Sequence, residues 1–173
     1  WRAHAADSVL TKPFEWSFAW GGAASDPEPK RTGLTVKQVA DVLARDLSER
    51  KYILTGDLTA AIFAEDCRFQ DPNNAVSGLN KYRQALSFLF KPEESTLTDV
   101  KVLVPSDAGN ERTIEATYTA SGVLKLPWRP RIQPWEGHIV YTLDANGLIV
   151  SQVDVWNITR FDAIRQTFTP GSG

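Results

Sequence analysis

The chain has 173 residues, 42% of them hydrophobic and 23% charged, with a formal net charge of −2 at pH 7. These values predict a globular protein with one substantial domain, and they exclude a general electrostatic affinity for nucleic acid or anionic membranes. One cysteine, Cys67, and two histidines, His4 and His138, exclude an internal disulfide and a histidine/cysteine metal cluster.

No apolar run reaches the roughly 18 to 20 residues of a membrane helix, so we expect no membrane span. We predict no metal site and no cofactor, and we leave open a bound apolar or pigment-like ligand. The chain begins with Trp1 and contains no methionine. We therefore expect a processed or trimmed amino terminus.

Residues 1 to 33 are predicted to form an extended arm, since they are rich in proline and glycine and lack a helical period. Four rings alternate within "FEWSFAW" and would share one face of an extended segment. The arm either packs on its own domain or contacts a partner protein. The rings predicted for that contact are Phe14, Trp16, Phe18 and Trp20.

Three helices are predicted in the first half of the domain. Thr35 and Gln38 form the pattern of a capping box, which begins a helix with a 3.6-residue apolar stripe. The run "GDLTAAIFA" after Gly56 predicts a second, short helix, and "GLNKYRQALSFLF" a third. Between these two, "EDCRFQDP" predicts a strand that ends at Pro72.

Four β-rich runs follow: "TLTDVKVLV", "RTIEATYTASGVLKL", "EGHIVYTL" and "LIVSQVDVWN". The "DANG" sequence before the last run predicts a hairpin turn. Helices followed by a meander predict an α+β domain, with about three N-terminal helices packed on a curved antiparallel sheet of four or more strands. We predict that this domain spans residues 34 to 168 and that residues 169 to 173 form a flexible tail.

The last strand carries one acid, Asp154, in an otherwise apolar run. Alternation places Val150, Gln152, Asp154 and Trp156 on one face, and Ile149, Ser151, Val153, Val155 and Asn157 on the other. The mixed face is typical of a pocket wall, while the valine face would lie outside the sheet and contact a partner.

The order of these elements resembles the NTF2-like, or SnoaL-like, cone fold over about residues 35 to 165. The motifs that carry the resemblance are "FQDP", "GLNKY", "LPWRP" followed by a second tryptophan, and "VDVW". The chain is most similar to an uncharacterised SnoaL-like family of cyanobacteria, algae and plants. That resemblance implies a plastid location and a setting near a photosynthetic complex.

Polyketide cyclases of this superfamily typically carry a His-x-Asp pair on the last strand. The resemblance places the aspartate at Asp154 and the histidine position at Gln152, which cannot titrate. Asp154 is therefore a candidate acid/base, a ligand contact, or a structural acid held by Arg68, Arg129, Arg131 or backbone N–H groups. The other residues predicted for the pocket are Gln152, Trp156, Tyr118, Trp128, Trp135 and Tyr82.

The segment "LPWRPRIQPW" holds three prolines, which predict a bulge or the rim of a cavity. It is either a ligand lid, a docking site, or a stiff connection whose rings plug the cone.

Three functions remain open from the sequence. The favoured one is a non-catalytic accessory or assembly protein that binds a protein partner, or a second copy, through its arm and outer sheet face. The alternatives are a carrier of a small apolar ligand and an isomerase or cyclase that uses Asp154 as acid/base.

Overall fold

A computed structural model of the chain describes residues 28–106, 112–158 and 160–170. The aromatic rings of the predicted arm, residues 14 to 20, lie outside these described residues. Within them there are four α-helices, α1 (Val36–Ser48), α2 (Tyr52–Thr55), α3 (Leu79–Leu89) and α4 (Arg160–Phe168). The six strands are β1 (Phe63–Gln70), β2 (Ala75–Ser77), β3 (Thr96–Leu103), β4 (Thr113–Val123), β5 (Arg131–Leu143) and β6 (Ile149–Trp156).

The strands form one sheet in the order β2-β1-β6-β5-β4-β3. Helix α1 packs against β3, and α3 packs against β1. The predicted α+β architecture is confirmed, but the prediction of three N-terminal helices is wrong. In the described part of the chain, only α1 and α2 precede the first strand, α3 lies between β2 and β3, and α4 follows the sheet.

The sheet is also mixed, since β1 pairs with β6 in parallel while the other neighbours are antiparallel. The two strands are far apart along the chain, so no local turn signals their pairing. The meander from β3 to β6 agrees with the sequence prediction. Its last turn forms at the predicted place, where Asp144 accepts hydrogen bonds from the backbone of Asn146 and Leu148 and Gly147 takes a φ of 84°.

Helix α1 begins as its sequence predicts. Thr35 accepts a hydrogen bond from the Gln38 backbone N–H, and the Gln38 side chain accepts one from the Thr35 backbone N–H. The second predicted helix is displaced. It covers Tyr52–Thr55 and ends at Gly56, because that glycine takes the left-handed conformation that terminates a helix. The run that follows forms a single 3₁₀ turn, Ala60–Ile62, before β1.

Gly56 also sits where α2 approaches α3. A Cβ added there would lie 2.4 Å from the carbonyl oxygen of Arg83, and its φ is +75°. Gly33 has a similar φ of +79°, but a Cβ there would meet nothing within 4 Å. Alanine substitutions at the two glycines therefore distinguish the effect of backbone strain from that of steric overlap.

We predict that Gly56→Ala lowers the free energy of unfolding by about 1–3 kcal/mol more than Gly33→Ala does, because only the first adds overpacking to the strain. Urea denaturation of both variants measures this difference. Equal losses would mean that α2 and α3 are not held in this close contact.

The core lies between the helices and the inner face of the sheet. Alternation holds through most of β6, where Gln152 and Asp154 are buried and Val155 is 55% exposed. It fails at the start of the strand, because Ile149 is fully buried although it was predicted on the outer face. The cause is a bulge in β6. One extra residue of β6 lies opposite Thr142 and Leu143 of β5, and this shift places Ile149 on the inner face.

Candidate functional site: a buried carboxylate beneath the helices

A carboxylate lies on the inner face of the sheet at the centre of the β4, β5 and β6 strands. Asp154 is only 7% exposed. The hydroxyl of Tyr118, on β4, donates a hydrogen bond of 2.6 Å to Oδ2 of Asp154, on β6. The sequence suggested an arginine or backbone N–H groups as structural partners of this acid. The structure places Tyr118 at Oδ2, and a backbone hydrogen bond from Val155 also lowers the pKa of the carboxyl group. Arg129 instead pairs with Glu94, and Arg68 donates to Gln70.

Gly137 on β5 makes this contact possible. Strand β5 lies between the strands that carry Tyr118 and Asp154, and Gly137 pairs with both Tyr118 and Trp156. A Cβ at Gly137 would lie 2.1 Å from Cζ of Tyr118. The tyrosine ring therefore crosses β5 over a residue that has no side chain. Sequence reasoning missed Gly137, although a glycine inside a strand is a known sign of close approach.

Burial dominates the acidity of Asp154. Desolvation raises the pKa of its carboxyl group from the ordinary 3.8 to about 7. The hydrogen bond from Tyr118 and the nearby indole of Trp156 act in the opposite direction, and the charge of Asp71 adds to the rise. The carboxyl group therefore changes its protonation near neutral pH, as a proton shuttle must.

Gln152 occupies the position where the resemblance places a histidine, and it organises a hydroxyl chain. Its Oε1 accepts from the Tyr52 hydroxyl at 3.1 Å, and its Nε2 donates to the Tyr82 hydroxyl at 2.9 Å. The hydroxyls of Tyr52 and Tyr141 are 2.5 Å apart. Since a hydroxyl carries one hydrogen, Tyr141 donates to Tyr52 when Tyr52 donates to Gln152. Gln152 is thus a buried structural amide beside the acid.

Aromatic rings line the same region. Tyr82 stacks on Phe69 at a centroid distance of 3.8 Å. Trp135 stacks on Phe90 at 6.0 Å and lies tilted against Trp156 at 6.3 Å. These rings give the surroundings of Asp154 a mostly apolar character with a few polar groups, which is typical of a small-molecule site.

Three polar atoms at this site are buried without a hydrogen-bond partner among the described residues. They are Oδ1 of Asp154 and the Nε1 atoms of Trp135 and Trp156. The indole of Trp156 lies near Asp154, and that of Trp135 near the hydroxyl of Tyr118, since each lowers the pKa of its neighbour. Each indole lowers the pKa of its neighbour as a hydrogen-bond donor, although neither N–H meets strict hydrogen-bond geometry. The two indoles therefore interact with the Tyr118–Asp154 pair, but only weakly.

The structure brings together five of the six residues predicted to accompany Asp154 in a pocket: Gln152, Trp156, Tyr118, Trp135 and Tyr82. Trp128 lies elsewhere. It is 40% exposed, and its Nε1 donates to the backbone oxygen of Thr167 in α4. The proline-rich segment thus divides, with Trp135 inside the fold and Trp128 at its surface. Val153, predicted to contact a partner, is half-buried, and Val155 is exposed.

A cavity of about 210 Å³ opens beside α1, away from Asp154. Its charged side chains are evenly matched, with Arg31, Arg45 and Arg50 facing Glu28, Asp46 and Glu49. The buried acid among them, Asp46, already accepts hydrogen bonds from the backbone and side chain of Thr59. We therefore place the candidate site at Asp154.

Within the described residues, no group of three or more His, Cys, Asp or Glu side chains is arranged to hold a metal ion. The described helices are each too short or too polar to cross a bilayer.

The fold is similar to that of several solved proteins. A "putative SnoaL-like polyketide cyclase" from Jannaschia sp. CCS1 is 15% identical, over 88% of this chain and 100% of that one, with a TM-score of 0.54. A "putative polyketide cyclase" from Xanthomonas campestris pv. campestris is 14% identical, over 74% and 94% of the two chains, at 0.52. Another from Pseudomonas putida KT2440 is 14% identical, over 78% and 98%, at 0.51.

At such low identity these similarities establish the fold alone, which is the NTF2-like, SnoaL-like fold that the sequence resembles. No curated protein matches the chain. The family model described as "Uncharacterized conserved protein (DUF2358)" matches residues 37–152, more than half of the chain. The chain therefore belongs to the DUF2358 family.

Proposed function

We propose that the protein binds a small, largely apolar carbonyl compound beside Asp154 and moves a proton on it, as an isomerase or cyclase does. The observation that carries this proposal is the state of the Asp154 carboxyl group. It is buried, one oxygen is held by Tyr118, and the other has no well-aligned hydrogen-bond partner among the described residues. A purely structural acid at this depth would be expected to have both oxygens satisfied.

The chemistry that fits is proton transfer at a carbon next to a carbonyl group. Oδ1 of ionised Asp154 takes the proton as the C–H bond breaks, and the electron pair moves onto the carbonyl oxygen. In an isomerase, the same carboxyl group returns the proton to another carbon. In a cyclase, the carbanion instead attacks a second carbonyl carbon, and the proton passes to the new alkoxide. Both routes balance without a cofactor.

Because Gln152 cannot titrate, Asp154 must carry out both proton-transfer steps in this proposal. The Gln152 amide holds Tyr52 and Tyr82 and cannot accept the transferred proton. Asp154 is therefore both the base and the acid in this proposal, and Tyr118 is a positioning residue that fixes the direction of Oδ1. The solved relatives named as polyketide cyclases support a carbonyl substrate by analogy of fold only.

Deuterium exchange tests this function without knowledge of the natural substrate. A panel of planar, apolar ketones is incubated with the protein in D₂O, and mass spectrometry records uptake at carbons next to the carbonyl group. We predict that the wild type accelerates exchange of the accepted ketones by about 10²–10⁴ relative to Asp154→Asn, the usual contribution of a general base. Exchange should rise with pH through about 7, as Asp154 ionises.

Asp66→Asn is the matched control, because it makes the same side-chain replacement at an exposed carboxylate of the same sheet. It should exchange like the wild type. Exchange that is the same in the wild type and in Asp154→Asn across the whole panel would contradict the proposal. A ligand retained by the protein from its source in native mass spectrometry, together with no exchange, would instead favour a carrier.

The accessory role favoured by the sequence is the second candidate. The observation in its favour is an exposed valine, Val155, on the outer face of β6 next to the half-buried Val153. The plastid setting rests on the family resemblance, and the arm that would contact the partner lies outside the described residues. A wild-type protein that retains no ligand and exchanges no deuterium would favour this role.

A further inference from the structure

We propose that the aromatic segment of residues 14 to 20 docks on the outward face of helix α3 of its own chain. The surface that receives it is an apolar strip made of Ala85, Phe88 and Leu89, called here the α3 strip. The segment itself lies outside the described residues. No atom near Asp154 takes part in this contact, so it stands apart from the proposed function.

Helix α3 is apolar on two sides. Leu79 and Tyr82 face the core, whereas the residues of the α3 strip are all exposed. The strip is continuous, because positions three and four residues apart are neighbours on one helix face. Phe88 is 56% exposed and Leu89 is 40% exposed. A helix that is apolar on more than its core side is typically covered by a second element.

The described chain begins close to this helix. The backbone N–H of Arg31 donates to the 3₁₀ turn before β1, and Glu28 lines the cavity beside α1 together with Thr59. Three residues before Thr59, Gly56 packs against α3, where an added Cβ would lie 3.1 Å from the backbone nitrogen of Ser87. Three residues of chain and this contact place Ser87 within about 16 Å of Thr59.

The length of the preceding chain allows the contact. Trp20 is eight residues before Glu28 and Phe14 is fourteen residues before it. An extended chain can therefore carry these rings about 26 Å and about 46 Å from Glu28. The α3 strip, which flanks Ser87 in the sequence, lies within this range. Residues 21 to 25, "GGAAS", have small uncharged side chains and link the rings to the rest of the chain.

The charges of the two surfaces are complementary. Residues 14 to 27 contain two acids, Glu15 and Asp26, and no base. Helix α3 contains two bases, Lys81 and Arg83, and no acid. A second copy that packed its own α3 on this surface would bring like charges together, which is unfavourable. The arm instead brings four rings and a negative charge to an apolar strip on a basic helix, so we assign the strip to the arm.

Limited digestion with chymotrypsin tests this contact, because the protease cuts after phenylalanine and tryptophan. Mass spectrometry of the full chain during digestion records the products cut after residues 14, 16, 18 or 20. We expect Phe88→Ser to speed these cuts about tenfold. The loss of one partly buried ring lowers the docked population by this factor, and cleavage follows the undocked population.

Ala85→Glu is a second variant that keeps a good helix former in α3. It should speed the same cuts, because it places a charge inside the apolar contact. Phe168→Ser is the matched control, since it removes a ring that is 74% exposed on α4. It should leave the rate of these cuts unchanged. Thermal melting of each variant verifies that it is folded.

The expected result is protection of the segment in the wild type that is the same at all protein concentrations and is lost in both α3 variants. Equal cleavage rates in the wild type, Phe88→Ser and Ala85→Glu would overturn the inference. Protection that increases with protein concentration would also overturn it, because a second copy would then cover the strip. Faster cleavage in Phe168→Ser to the same extent as in Phe88→Ser would show a general loss of stability instead of a lost contact.

Discussion

Replacing Gly137 with alanine is expected to lower the free energy of unfolding by about 3 kcal/mol or more, since overpacking costs about 1–3 kcal/mol and a lost buried hydrogen bond to a charged group about 1.5–3. The new Cβ would lie 2.1 Å from Cζ and 2.4 Å from the hydroxyl oxygen of Tyr118. The ring must then move off β5, and its hydroxyl leaves Asp154. The variant should therefore lose both stability and deuterium exchange.

A double-mutant cycle with Tyr118→Ala shows whether the ring is the cause. Tyr118→Ala removes the atoms that the new Cβ would meet, so Gly137→Ala should cost little in that background. Urea denaturation of the wild type, the two single variants and the double variant gives the coupling. If Gly137→Ala costs the same with and without the Tyr118 ring, the ring does not cross β5 at this glycine.

Replacing Asp154 with asparagine is expected to make the protein more stable than the wild type at pH 8, by about 4 kcal/mol. The pKa of this carboxyl group is raised from 3.8 to about 7 in the folded state. Between these two pH values the folded chain holds a proton that the unfolded chain has lost. The contribution of Asp154 to the stability of the wild type should therefore be highest below pH 4 and fall as pH rises to about 7.

Asp154→Asn removes this titration while its amide oxygen can still accept from Tyr118. The two proteins should therefore be almost equally stable near pH 4 and diverge steadily up to pH 7. The measurement is urea denaturation at a series of pH values, with Asp66→Asn as the control for the loss of one negative charge. Parallel stability curves for the wild type and Asp154→Asn would show that Asp154 is not desolvated in the folded protein.

This pH dependence also bears on function. A cost of about 4 kcal/mol near neutral pH is a large part of the stability of a typical domain, which is about 5–15 kcal/mol. The same sequence could avoid that cost with an amide or a leucine at this position. Ionisable groups whose pKa values are strongly shifted by burial are concentrated at functional sites, where a reactive protonation state is needed.

The sequence predicted correctly those features of the fold that depend on residues close together along the chain. The capping box at Thr35 and Gln38 and the turn at Asp144 each depend on residues within four positions of one another. The two faces of β6 followed from alternation, which put Asp154 inside and Val155 outside. These features need no knowledge of the rest of the fold.

The features that the sequence did not predict depend mostly on contacts between distant parts of the chain. The parallel pairing of β1 with β6 and the bulge that buries Ile149 arise from how strands meet, which no short pattern encodes. The same is true of the bond from Tyr118 to Asp154, which depends on Gly137 in the strand between them. The second helix was misplaced because the apolar run after Gly56 suits a helix, a 3₁₀ turn or a strand.

The most direct test is a pH titration of the Asp154 side-chain carboxyl carbon by carbon-13 NMR, assigned as the resonance that disappears in Asp154→Asn. We predict a midpoint near pH 7, because this carboxyl group lies away from water and its hydrogen bond from Tyr118 only partly offsets the desolvation. A midpoint near pH 4 would mean that the group is hydrated or fully paired. The proton transfer assigned to Asp154 would then lose its basis.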